Sequence, residues 1–247
     1  MPGTWTLETI AGKPCDVYVP PRVNEHGYVV LYLHGVHLNR LHDKTAFLKQ
    51  FDRFGLPVVA PMTQRSWWTD RICLEFDERI TAEQHVLKNV LPFIAERFAA
   101  APPKIALLGT SMGGQGALRL AYKYPNTFPV VAAISPAIDF HKRYNEGDET
   151  IPQMYEDPEA ARQDTAILYI HPLNWPRHQF FCCDPLDYRW HESADRLRMK
   201  LYSLGVPHEC DLETSGGVHG FEYYSRMAPR VLEFLVDRLD QERRRLV

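Results

Sequence analysis

The segment Gly109-Thr110-Ser111-Met112-Gly113 sets a hydroxyl midway between two glycines. It follows the apolar run Lys104–Leu108 and leads into a helical pattern, Gly116–Tyr124, that Pro125 stops. A serine hydroxyl is a weak nucleophile until a base takes its proton, and a sharp strand-to-helix turn lifts such an oxygen clear of a sheet. Small residues at 109 and 113 let the backbone cross closely enough to make that turn. The helix that follows directs unpaired N–H groups, and the positive end of its dipole, at a developing oxyanion. The spacing alone is a weak signal; the strand before it and the helix after it make Ser111 a candidate nucleophile. No Lys-Ser/Thr follows the glycines, which excludes a phosphate loop.

A base and an acid must accompany it. Of 11 histidines, His219 stands in Gly216-Gly217-Val218-His219-Gly220-Phe221, between the last predicted strand and the last predicted helix. That is where the chain order Ser, then Asp, then His puts the base. Three acids are open: Asp184 and Asp187 follow the seventh predicted strand, and Asp139 follows the sixth. The acid holds the imidazole in the right tautomer and stabilises its protonated form.

These residues need a frame. Short apolar runs alternate with amphipathic helices, the pattern of a mostly parallel sheet covered on both faces. Thr4–Ile10 and Cys15–Val19 predict a hairpin joined at Ala11–Pro14. Tyr28–Leu33, Pro57–Ala60, Lys104–Leu108, Val130–Ile134, Gln179–Cys183 and His208–Leu212 complete eight strands. Helices are expected over Ala82–Ala99, with a kink at Pro92, and along Leu197, Leu201 and Leu204 up to Gly205. The last follows Met227, Val231, Phe234, Leu235 and Leu239. Between Phe140 and His178 the pattern breaks into an aromatic, Pro-bearing excursion after the sixth strand. Residues 140–178 are therefore expected to cover the active site of a single domain spanning 1–247.

Composition narrows the class. With 45% hydrophobic and 24% charged residues the chain can bury one large core, and a net charge of -3 leaves no footprint for nucleic acid or an anionic membrane. Arg243-Arg244-Arg245 reads as the solvated end of the last helix. No run reaches the roughly 18 apolar residues of a membrane span, and Met1–Leu7 lacks a secretory pattern. Five cysteines fit no metal spacing, and adjacent Cys182 and Cys183 point to opposite faces of a strand. Reduced core thiols in a cytoplasmic protein are expected. Oligomeric state is not legible.

The run Gly109 to Leu118, then Tyr124-Pro125, Phe128 and Ser135-Pro136, resembles the putative-esterase (esterase D-like) family, and the likeness extends in patches from about Tyr28 to the C-terminus. That family includes feruloyl and acetyl-xylan esterases, S-formylglutathione hydrolase and the mycolyltransferase antigens. The resemblance implies an α/β-hydrolase fold and a Ser-His-Asp serine esterase acting on a small-molecule ester without metal or cofactor. It implies that the amides of Val36, in His34-Gly35-Val36, and of Met112 form the oxyanion hole, with His34 bracing the loop. Counted back from Gly205, the family's Gly-x-x-Asp pattern selects Asp187 and leaves Asp184 in the glycine's place. Val218, between the glycine pair and His219, departs from the family pattern. Trp67 and Trp68 are expected either to pack in the core or to wall a substrate pocket. Competing readings are a peptidase or S-formylglutathione hydrolase on the same triad, and a non-catalytic binding module. Retention of Ser111, an Asp and His219 weighs against the last.

Overall fold

Eight strands lie in one sheet in the order β1-β2-β4-β3-β5-β6-β7-β8, in a computed structural model that describes residues 3–245. β1 (Thr4–Ile10) and β2 (Lys13–Val19) form the expected hairpin, turning through Ala11 and Gly12, both at positive φ. β2 runs antiparallel to β4 (Val58–Pro61). From β4 onward every pairing is parallel, through β3 (Val29–Leu33), β5 (Ile105–Thr110), β6 (Val130–Ile134), β7 (His178–Cys182) and the short edge strand β8 (Glu209–Asp211). Strands buried on both faces read as continuous apolar runs, which is why they were visible in the sequence.

The pleat divides their side chains between two cores. Val29, Leu31, Leu33, Ile105 and Leu107 face one layer, and Val30, Tyr32, Ala106 and Leu108 the other. Onto the first pack α2 (Ala82–His85), α3 (Leu91–Phe98), α4 (Met112–Lys123) and α8 (His191–Ser203). α1 (Thr45–Phe54) and α9 (Phe221–Arg245) cover the second. Each aliphatic side chain so enclosed contributes about 1.5–3 kcal/mol. Cys182 and Cys183 fall into opposite cores, and all five cysteines are free thiols.

The helices differ from the sequence reading, beginning with α1, which it did not include. The helix expected over Ala82–Ala99 continues through a π-turn at Val86–Val90, and Pro92, which has no N–H to give, follows that wider turn directly. α4 begins four residues earlier than expected, directly after Ser111. The excursion holds α5 (Phe140–Asn145), α6 (Ile151–Met154), α7 (Pro158–Gln163) and a 3-10 turn at Ala166–Tyr169. Among the described residues no helix is long and apolar enough to cross a membrane.

Candidate active site

Ser111 sits between β5 and α4 at φ 55° and ψ −117°, an uncommon conformation for a residue with a Cβ. Three backbone hydrogen bonds hold it there. Its amide donates to the Ile134 carbonyl at 2.9 Å, and its carbonyl accepts from Gln115 at 3.1 Å and Ala137 at 3.0 Å. A side-chain carbon on Gly109 would collide with the backbone of Gly113, and one on Gly113 with the Leu33 carbonyl. Glycine at both places lets β5, α4 and the end of β3 converge on Ser111.

His219 arrives from the segment between β8 and α9. Its Nε2 lies 2.9 Å from Ser111 Oγ, and its Nδ1 lies 2.6 Å from Asp187 Oδ2. A carboxylate on Nδ1 assigns the proton to that nitrogen and leaves Nε2 to accept from the hydroxyl. Asp187 is 2% exposed and Ser111 7%, while the imidazole between them is part-exposed. The Tyr224 ring meets the imidazole at an interplanar angle of 84° and limits its rotation.

The other two acids stand elsewhere. Asp139 caps α5, accepting from the Lys142 amide at 3.0 Å, and pairs with Arg196 at 2.6 Å. Asp184 is fully buried. Its Oδ1 accepts from the Leu186 amide at 2.9 Å, and its Oδ2 from the amides of Gly216 and Val218 at 2.7 and 3.0 Å and the Ser215 hydroxyl at 3.3 Å. Burial alone would raise this carboxyl; the donors from Gly216, Leu186, Ser215 and Val218 outweigh it and hold the group below the usual carboxylate value.

Of the two expected oxyanion amides, that of Met112 heads α4 and has no carbonyl one turn back to receive it. Val36 follows Gly35, where a side-chain carbon would come within 3.3 Å of Ser111 Cβ, so this loop lies against the turn. His34 braces it: Nδ1 donates to the Gly35 carbonyl at 2.9 Å and Nε2 accepts from the Thr63 amide at 3.1 Å. Burial pushes this imidazole down to about 4, so it is neutral at pH 7.

The sequence pattern of the family described as Putative esterase matches residues 13–203. The chain belongs to that family. This esterase is a carboxylic-ester hydrolase, and its architecture is the α/β-hydrolase fold. It is similar to an S-formylglutathione hydrolase from Agrobacterium tumefaciens (TM-score 0.73, 19% identity, covering 96% of this chain and 94% of that one). A ferulic acid esterase aligns with TM-score 0.71 at 15% identity, covering 95% and 100% of the two chains. FphF, a fluorophosphonate-binding serine hydrolase of Staphylococcus aureus, aligns with TM-score 0.70 at 14% identity, covering 96% and 99%. No curated protein matches the chain. The family match ends before His219, so the imidazole stands on geometry and chain order alone.

Trp67 and Trp68 of the esterase are 1% and 0% exposed. The Trp67 indole donates to Thr150 Oγ1 at 3.2 Å and stacks edgewise on Phe140; Trp68 donates to the His34 carbonyl at 3.2 Å. Of the two expectations for this pair, packing is the one the structure favours, because neither ring keeps surface to offer a substrate. A side chain at Gly116 would run into Trp68. Gln115, within the run Gly109 to Leu118, links Trp67 to the excursion. Its Nε2 donates to the Trp67 carbonyl at 3.2 Å and its Oε1 accepts from the Ala166 amide at 3.0 Å. An amide in an otherwise small and apolar helix start was the available signal.

Proposed function

We propose that the chain cleaves carboxylic esters through an acyl-enzyme, with Ser111 as nucleophile, His219 as general base and Asp187 as the acid that orients it. The observation that carries this reading is the unbroken line Ser111 Oγ, His219 Nε2, His219 Nδ1, Asp187 Oδ2, with separations of 2.9 and 2.6 Å. His219 takes the hydroxyl proton as Ser111 attacks the ester carbonyl, and the amides of Met112 and Val36 receive the oxyanion. Collapse expels the alcohol, which leaves with the proton from His219. A water then gives its proton to His219, attacks the acyl carbonyl and releases the acid, restoring Ser111.

Residues 140–178 belong, in this reading, to the wall that limits substrate size within one hydrolase domain. Supporting this, Gln115, one turn beyond Ser111, accepts from the Ala166 amide and fastens the excursion beside the nucleophile turn. Five free thiols support a reducing, cytoplasmic setting. The test is labelling with a fluorophosphonate alongside turnover of p-nitrophenyl esters of graded chain length, with peptide anilides and S-formylglutathione as competitors for the assignment. Ser111→Ala should lose the label, with kcat lower by about 10⁴-fold or more. Labelling that survives the substitution overturns the assignment. Faster turnover of anilides or of S-formylglutathione moves the substrate class while leaving the triad in place.

A further inference from the structure

Two departures from the family pattern meet in space. Asp184 occupies a position where that pattern has glycine, and Val218 is the extra residue between the glycine pair and His219. The Val218 amide donates to Asp184 Oδ2 at 3.0 Å. Val218 is held at φ 58°, a left-handed conformation in which a β-branched residue is an outlier, with 42% of its surface exposed. No packing around so open a side chain enforces that backbone; the buried carboxylate does. Gly216 and Val218 aim their N–H groups at one oxygen, as backbone amides do around a bound anion, and Ser215 adds its hydroxyl. Among the described residues no cation pairs with Asp184, so these donors are the partners of its charge. His219 is the next residue along the chain.

We propose that Asp184 is a positioning residue, which clamps the Ser215–Val218 turn so that His219 is delivered between Asp187 and Ser111. The inference rests on the triad reading above. Without the clamp, Val218 relaxes to an ordinary φ and carries the imidazole off the line to Ser111. A shift on the order of 1 Å in such a group lowers turnover by about a hundredfold. Binding of the ester ground state does not depend on that line, so KM is spared.

The experiment is a double-mutant cycle on the full chain, read by steady-state kinetics with a p-nitrophenyl ester and by the rate of fluorophosphonate labelling. Asp184→Ala should lower kcat by about 10–100-fold with KM within about twofold, and slow labelling in parallel. Asp184→Asn, which keeps one oxygen for the turn, should lose less. In the Asp184→Ala background, Val218→Gly should recover about tenfold, because glycine takes a positive φ without a clamp. If Asp184→Ala is unfolded by circular dichroism, the same cycle is run on Asp184→Asn. A folded variant with kcat within about threefold of wild type, or a loss that Val218→Gly does not relieve, overturns the proposal. Ser111→Ala separates the two readings. If it keeps the label, the triad reading fails; if it loses the label while the cycle shows no coupling, only the clamp fails.

Discussion

Asp164 joins Arg119 at 2.5 Å with both side chains out of water, fastening the excursion to the helix that begins behind Ser111. Arg119 also pairs with Glu83, which accepts in turn from Lys123 and from Tyr124 at 2.7 Å. Asp164 accepts from Tyr155 at 2.6 Å and from Tyr169. Arg119→Met should destabilise the protein by about 3–5 kcal/mol, because it takes the close cation from buried Asp164 and leaves Glu83 with Lys123 alone. Urea unfolding measures this. Burial by itself would raise the Asp164 carboxyl, but the Arg119 charge and the two phenols bring it below its ordinary value. Its contribution to stability is therefore complete above about pH 4 and lost as pH falls further, through the folded value. Arg119→Met should remove that acid-side slope.

Asp187→Asn should keep the fold and lower kcat by about 10⁴-fold, since the amide favours the wrong imidazole tautomer. Asp139→Ala removes only the cap of α5 and a half-exposed ion pair. About 1 kcal/mol of stability should go, with turnover within about threefold of wild type. Kinetics on the two purified variants decide which acid serves His219.

His34 gives the protein a second acid-sensitive element. Its folded value is about 4 against 6.5 for the free side chain. Between these values the unfolded chain binds the proton and the folded one does not, so stability falls as pH drops from about 6.5 to 4, on the order of 3 kcal/mol in all. His85, brought down to about 4 mainly by its burial, acts in the same window. His34→Gln should flatten part of that slope, leaving the share from His85, as followed by unfolding at pH 4.5, 5.5 and 7.

Gly116→Ala should destabilise by about 1–3 kcal/mol despite alanine's better helix propensity, because the new methyl meets Trp68. The melting temperature should drop, and Trp68 fluorescence should report its displacement.

What the sequence disclosed depended on how local each signal was. Ser111 was legible because the glycines that permit its turn, Gly109 and Gly113, lie within two positions of it. His219 and Asp187 needed a known order of elements, since they reach Ser111 from distant loops. α1 escaped notice: Lys44, at its N-terminus, offers no side-chain cap, and Phe47 and Phe51 alone mark its buried face, with Gly55 as a left-handed stop. The excursion helices are each six residues or fewer, too short for a period to declare itself. Nothing local marks Arg119, because Glu83 and Asp164 are 36 and 45 residues away.

β6 and β7 are direct neighbours, paired from Val130 with His178 to Ile134 with Cys182. The chain thus leaves the sheet after Ile134, at one end of β6, and re-enters at His178 beside Val130, at the other end of that strand. What lies in between packs into the core shared with β5, β6 and β7 but adds no strand to the sheet. Closing a longer or shorter loop across that gap changes the chain entropy by only about 0.6 kcal/mol per doubling of length. The strands around Ser111 and the segment between β6 and β7 are thereby free to change length independently. A grafted segment has to supply a carboxylate for Arg119, an amide for Gln115 and an acceptor for the Trp67 indole.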